Sequence, residues 1–245
     1  MQDIVKDLVL AGVKWELTDN SVGFMSDLES VRAPARTRLS SVVPPISPVS
    51  AIDVDTANAM AMRPTTLDSL CRMISEFNHP LRGGVTNVVT PMVAPNPNGL
   101  MIITDMPSND DDASGHILSG APGELLDKML NAIEMSRDSV SISPILFWRT
   151  PGGRTPSRLE LDLSRPFLNR FIELTEPRIV LTLGTLAAAE ICGVDLMRNH
   201  GKETLLASGV RAFSIYHPNY LMLKPNAKAD VWSVLKSVQN LLKNS

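Results

Sequence analysis

Cysteine is scarce in this chain: Cys71 and Cys192 are the only two among 245 residues. Two thiols so far apart supply neither a disulfide framework nor a Cys-rich metal site. Long apolar runs are missing too. No stretch approaches the roughly 18 to 20 unbroken apolar residues that a membrane span requires. The opening MQDIVKDLVLAGVKW places acids among its apolar residues, unlike the core of a secretory leader. An excess of positive charge is also absent. The formal net charge of −3 speaks against a protein that coats nucleic acid, because phosphate binding needs clustered Lys and Arg. Together these absences lead to the expectation of a soluble, cytoplasmic protein without membrane association.

What is present is ordinary globular composition, with 44% hydrophobic residues, enough for a buried core. One local patch stands out against the net charge. Between Arg149 and Arg170 lie five arginines and two acids, Glu160 and Asp162. Such a run is either a solvated helix face or a phosphate-binding surface.

Along the chain, residues 1–30 read as an N-terminal helical segment. Within it, Asp3 to Ala11 forms a short helix with Ile4, Val5, Leu8 and Val9 on one side and Gly12 as its stop. Residues 31–65 shift to Pro, Ser, Ala and Val and include SSVVPPISPVS, which reads as a linker or surface arm. A turn or two of helix fits inside it over Ala51–Met62. Residues 66–245 form the ordered domain. Thr66 caps a helix with Leu67, Leu70, Ile74 and Phe77 on its apolar side. The run GLMIIT (99–104) predicts a buried strand. Leu125, Leu126, Met129, Leu130 and Ile133 mark an amphipathic helix. Val140–Phe147 predicts a second strand, in which Pro144 is awkward. A longer helix carries Leu159, Leu163, Phe167 and Phe171 on one face and is expected to bend at Pro166.

The pattern then repeats. Arg178–Leu183 predicts a buried strand that ends in Gly184 and leads into the helix TLAAAEIC. Val210–Ile215 is the next strand, ending at Tyr216-His217-Pro218, and Lys228–Leu242 closes the chain as a helix. Strands alternating with helices predict an α/β fold: a three-layer α/β/α arrangement around a small, mostly parallel sheet. Ligands of such sheets bind at the carboxyl ends of the strands. The loops after Thr104, Phe147, Leu183 and Ile215 are therefore expected around one crevice.

The order of these segments resembles a known family. A strand running into an acid-containing Pro loop is followed by GELLDKMLNAI, LFWRTPGGRTP, RPFLNRFIELTEPRIVLTLGTLAAAEI and IYHPNYLMLKPNAKADVW. This succession is similar to the bacterial uracil-DNA glycosylases of the iron–sulfur type, often called family 4, over about 70% of the chain, Leu67 to Leu242. The resemblance implies base-excision repair chemistry. Such an enzyme flips a nucleotide from the stack, stabilises the departing base anion and positions a water. In the family the first loop supplies a carboxylate within a Gly-Glu-Ala-Pro-Gly run, and the His of the His-Pro loop faces the uracil oxygen that gains charge. The resemblance therefore puts Asp105 and His217 in the catalytic roles. It puts Met106, Pro107, Leu118 and Pro144 around the base, and Arg149, Arg154, Asn219 and Tyr220 on DNA. For Asp105, a helix cap or an Asx-turn in a polar loop with Asp110, Asp111 and Asp112 is the competing account. Arg149 and Arg154 could equally hold their loop through carbonyls and carboxylates.

The chain also departs from the family. Thr104-Asp105-Met106-Pro107-Ser108 lacks both glycines that let a backbone approach its ligand, and Asp is one methylene shorter than Glu. Leu118 stands where the family's aromatic ring stacks on uracil. Pro144 stands where an Asn reads the base, and proline has neither side-chain amide nor backbone N–H. The family's cluster cysteines fall near Phe77–Leu81, around Trp148 and before Pro166; here those places hold Asn78 and His79, Trp148, and Ser164. A cluster needs about four thiolates, so no iron–sulfur cluster and no metal is expected. Three readings follow. One is a glycosylase with impaired or altered catalysis, and the second is an inactive glycosylase scaffold that binds DNA or an unidentified protein partner. The third is a hydrolase of some other nucleoside substrate.

Overall fold

A computed structural model of the chain describes residues 53–244. The helix expected over Asp3–Ala11 and the Pro/Ser-rich stretch before residue 53 lie outside them. The first described element is helix α1, Val54–Ala61, capped by Asp53, whose carboxylate accepts the Thr56 N–H. It lies inside the stretch read as an arm, yet Ala57 and Ala61 are buried in the same apolar cluster as Phe77, Phe167 and Phe171. Helix α2, Leu67–Glu76, starts at Thr66 in a reciprocal capping box with Ser69.

Four parallel strands form in short, largely buried stretches of the chain. These are β1 (Leu100–Thr104), β2 (Ser141–Pro144), β3 (Ile179–Leu183) and the later strand Arg211–Ile215. Glu203–Leu205, three residues without an apolar run, adds an antiparallel edge and becomes β4, so that Arg211–Ile215 is β5. The order is β2-β1-β3-β5-β4. The second strand stops well short of Phe147. Pro144 is its last residue, level with Thr104 of β1, a position where a missing N–H disturbs least.

Alternation along each strand sends side chains to opposite faces. Leu100 and Ile102 join one cluster beneath helix α4 (Gly120–Ala132) and the closing helix Lys228–Lys243. Met101 and Ile103 join the other, with α1, α2 and helix α5 (Arg158–Thr175). The fold is thus a three-layer α/β/α sandwich. Helix α5 runs on through Pro166. Its fully buried Phe167 and Phe171, each worth roughly 2–3 kcal/mol, offset the single backbone hydrogen bond that proline removes. Between β1 and α4 lies the short helix α3, Asn109–Ser114. After β3 come helix α6 (Thr185–Ala187), a π-helical turn over Ala188–Cys192, and helix α7 (Leu196–Asn199). After β5 come helix α8 (Pro218–Leu223) and α9, Lys228–Lys243. Among the described residues no helix is long and apolar enough to cross a membrane.

Candidate active site

The carboxyl ends of the parallel strands open onto a crevice of about 360 Å3. Asp105 to Asn109 enter it from the loop after β1, Arg149, Gly152 and Gly153 from the segment after β2, and His217 and Asn219 from the loop after β5. The loop after β3 contributes from behind. Gly184 sits at φ +107°, and a Cβ there would lie 2.2 Å from Asp105 Oδ2. Only glycine gives the carboxylate this room.

Asp105 is half-buried. Its Oδ1 accepts the Ala187 N–H at 2.7 Å, and the Leu186 N–H also stabilises the charge. These bonds do not compensate for lost solvent. Burial lifts the carboxyl from 3.8 to about 6, against the lowering effect of the two backbone N–H groups. Asp105 therefore lines the crevice and at the same time caps the helix that follows β3.

His217 is set by its own helix. As N-cap of α8 it accepts the Asn219 N–H on Nδ1 at 3.1 Å. That bond leaves the proton on Nε2. Burial lowers the imidazole to about 4, opposed by the Asp111 carboxylate, so at neutral pH the ring is an uncharged Nε2–H donor.

Two of the acids after Asp105 are structural. Asp111 and Asp112 are buried. Asp111 accepts from Ser108 N at 2.9 Å and Ser119 N at 2.6 Å. Asp112 Oδ1 accepts from Thr86 N at 2.8 Å and Asn87 N at 3.0 Å. They fasten the α3 turn that carries Ser108 and Asn109 to the crevice.

Of the residues expected around the base, Met106 and Pro107 line the crevice, and Leu118 and Pro144 do not. Leu118 is buried in the α4/α9 cluster at φ +50°. Its carbonyl accepts from Arg137 Nη2 at 2.8 Å, and Ile117 O accepts from Nη1 at 3.0 Å. Pro144 is enclosed at the end of β2. The crevice is lined by no Phe, Tyr or Trp; its carboxamides are Asn109 and Asn219, both exposed.

The expected DNA-facing residues also divide. Arg149 lines the crevice beside Gly152 and Gly153, and its guanidinium makes no hydrogen bond or ion pair among the described residues. Arg154 is engaged elsewhere. Its Nη1 donates to Glu160 Oε2 at 2.8 Å and its Nη2 to Oε1, and this partner holds Glu160 down to about 2. Glu160 in turn completes the capping box of α5 with Ser157. Asn219 reaches the crevice, whereas Tyr220 packs against Tyr216 at 4.7 Å, and Tyr216 stacks on His200 at 4.1 Å.

Ser108, Asn109 and Gly153 are lining residues that motif reasoning missed. The Gly152-Gly153 doublet was the available signal: both take positive φ with open space beside them. They are required by backbone conformation and leave the segment bare toward the crevice. Among the described residues no group of three or more His, Cys, Asp or Glu could hold a metal ion.

The family model described as the uracil DNA glycosylase superfamily matches residues 91–238. The type-4 uracil-DNA glycosylase of Archaeoglobus fulgidus is 28% identical over 151 residues, 58% of this chain and 76% of that protein. The protein of the same name from Pyrobaculum aerophilum is 27% identical over 143 residues, 54% of this chain and 72% of its own length. That from Saccharolobus solfataricus is 35% identical over 86 residues, 35% of this chain and 40% of its own length.

Proposed function

The chain belongs to the uracil DNA glycosylase superfamily, and from that premise we propose that it hydrolyses the N-glycosidic bond of a base flipped out of DNA, with weak discrimination between bases. The observation that carries this reading is that Asp105 and His217, from two separate loops, line one crevice.

The chemistry divides between them. As the bond from C1′ to the base nitrogen breaks, its electron pair leaves with the base and positive charge develops on the sugar. His217, neutral and with its proton fixed on Nε2, donates to the base oxygen that gains charge. A neutral donor suits an anion that forms only in the transition state, since it adds stabilisation there without requiring a charge in the empty site. Asp105, ionised above its raised value of about 6, faces the developing cation and orients a water. The water oxygen bonds to C1′ and its proton passes to the carboxylate. Arg149 at the rim supplies charge for a phosphate.

Weak discrimination is supported by what lines the crevice. Leu118 and Pro144 are turned into the core, and Asn109 and Asn219 are exposed amides whose side chains make no hydrogen bond among the described residues. A base reader must be held rigidly to reject the wrong edge. A second reading, a non-catalytic DNA-binding scaffold, is favoured by one observation: the Asp105 carboxylate already serves the Ala187 N–H as a helix cap.

The test is incubation of the purified protein with a uracil-containing single-stranded oligonucleotide, followed by alkaline cleavage at abasic sites. Asp105→Asn and His217→Ala are run alongside. Excision lost in both variants supports the glycosylase. No excision at high protein excess, with DNA binding that weakens steeply in salt, moves the conclusion to the scaffold.

A further inference from the structure

The three places where the resemblance implies cluster cysteines converge in space, and they are filled. His79 and Trp148 lie face to face, with ring centroids 4.2 Å apart and planes within 1°. Phe77 packs 6.0 Å from Trp148 and 4.8 Å from Phe167, and Phe147 meets Trp148 edge-on at 5.6 Å. Trp148 and Ser164 are fully enclosed and His79 is 2% exposed.

This donor set does not fit an iron–sulfur cluster. Neither cysteine of the chain is among these residues, and an indole offers no lone pair to a metal. The histidine is spent: its Nδ1 accepts the Leu81 N–H at 3.2 Å and its Nε2 is paired with Glu160 O at 3.1 Å. One neutral tautomer satisfies both bonds, and burial lowers the ring's basicity accordingly. The Ser164 hydroxyl donates to Ile145 O at 2.9 Å. The His79 and Ser164 heteroatoms are thus tied to backbone, Asn78 is exposed outside the stack, and the Trp148 Nε1–H is buried without a hydrogen-bond partner. That group is a donor and has nothing to give a cation.

We propose that the His79–Trp148 stack is a metal-free clasp. It joins the 77–84 loop, the segment after β2 and the start of α5 by packing and backbone hydrogen bonds, where the resembled family uses a cluster. The geometry makes the join threefold. Trp148 belongs to the segment that carries Arg149, Gly152 and Gly153 to the crevice. His79 binds α5 through Glu160 O, and Ser164 of α5 binds back to Ile145 O. Stacked rings in an enclosed site leave no room for a cluster, and they hold their neighbours at fixed separation. The inference is independent of whether the crevice is catalytic, because its readouts are metal content and stability.

The experiment is to express the full chain in iron-replete medium, purify it without oxygen and treat a portion with iron and sulfide. Iron, acid-labile sulfide and Tm with and without chelator are then measured. Iron well under one atom per chain, before and after treatment, and a chelator-insensitive Tm are expected; a filled cluster would give about four irons. Trp148→Ala is expected to lower Tm by roughly 10 °C. Trp148→Phe keeps an apolar ring but loses much of the face-to-face overlap, so a smaller drop is expected in a variant that still folds. Stoichiometric iron with visible absorbance, or a Tm that falls with chelator, overturns the proposal. So does a Trp148→Phe variant with unchanged Tm, which would show that the stack clasps nothing.

Discussion

Replacing Asp105 with Asn isolates the cost of holding a charge in the crevice. The unfolded carboxyl titrates near 3.8 and the folded one near 6, so unfolding releases a proton throughout that interval. Stability contributed by the protonated group is complete below about 4 and is lost as pH rises through about 6. At roughly 1.4 kcal/mol per pH unit, ionising the folded chain costs about 3 kcal/mol at pH 8, and the partial exposure of the side chain reduces that to about 2. An Asn retains an oxygen for the Ala187 N–H and carries no charge. Urea denaturation of wild type and Asp105→Asn at pH 4 and pH 8 is the assay. The variant is expected to be more stable at pH 8 by about 2 kcal/mol, with most of the gap gone at pH 4. A variant that is less stable at pH 8, or a gap that ignores pH, would refute the argument. It would mean that the Ala187 and Leu186 N–H groups hold the carboxylate more strongly than burial opposes it.

His217→Ala removes the Nε2–H donor and is expected to slow excision by on the order of 10²–10³ in single-turnover assays. Wild-type excision should rise with pH through about 6 as Asp105 ionises, with no inflection from His217 until about 4; a bell centred below 6 would contradict this. Arg149→Ala should weaken DNA binding for all sequences alike and reduce the slope of log affinity against log salt by about 1, measured by fluorescence anisotropy. Gly123→Ala places a Cβ 1.8 Å from Leu118 O, so a loss of at least about 2 kcal/mol is expected in chemical denaturation.

The sheet was legible where burial is two-sided. β1 and β3 read directly as short apolar runs bounded by turn residues, and β5 as the strand that ends at Tyr216-His217-Pro218. β4 was invisible because Glu203–Leu205 is defined by its antiparallel partner and has no apolar pattern of its own. The π-helical turn over Ala188–Cys192 looked like ordinary helix, since backbone hydrogen-bond register leaves no mark on composition. At the crevice, chain order placed Asp105, Arg149 and His217 together, because each follows a parallel strand. Side-chain direction was not readable. Leu118 occupies a motif position, but the Arg137 guanidinium fixes its carbonyl and turns the side chain inward. For Arg154 the sequence leaves phosphate and carboxylate both open, and Glu160, six residues on, is its partner in the structure. Asp111 and Asp112 read only as members of a polar loop, because their partners, the N–H groups of residues 86, 87, 108 and 119, are backbone and have no sequence signature.

The double duty of Asp105 bears on how this chain drifts under mutation. Closing the end of α6 needs only an oxygen at that point in space, and Gly184 keeps the space open for it. An amide would serve the cap as well as a carboxylate and spare the fold a buried charge. In a lineage retained solely as a scaffold, random substitution would run downhill toward Asn at 105, since nothing in the packing rewards the acid. On the proposed function, what the acid supplies and an amide would not is an ionised oxygen facing the crevice.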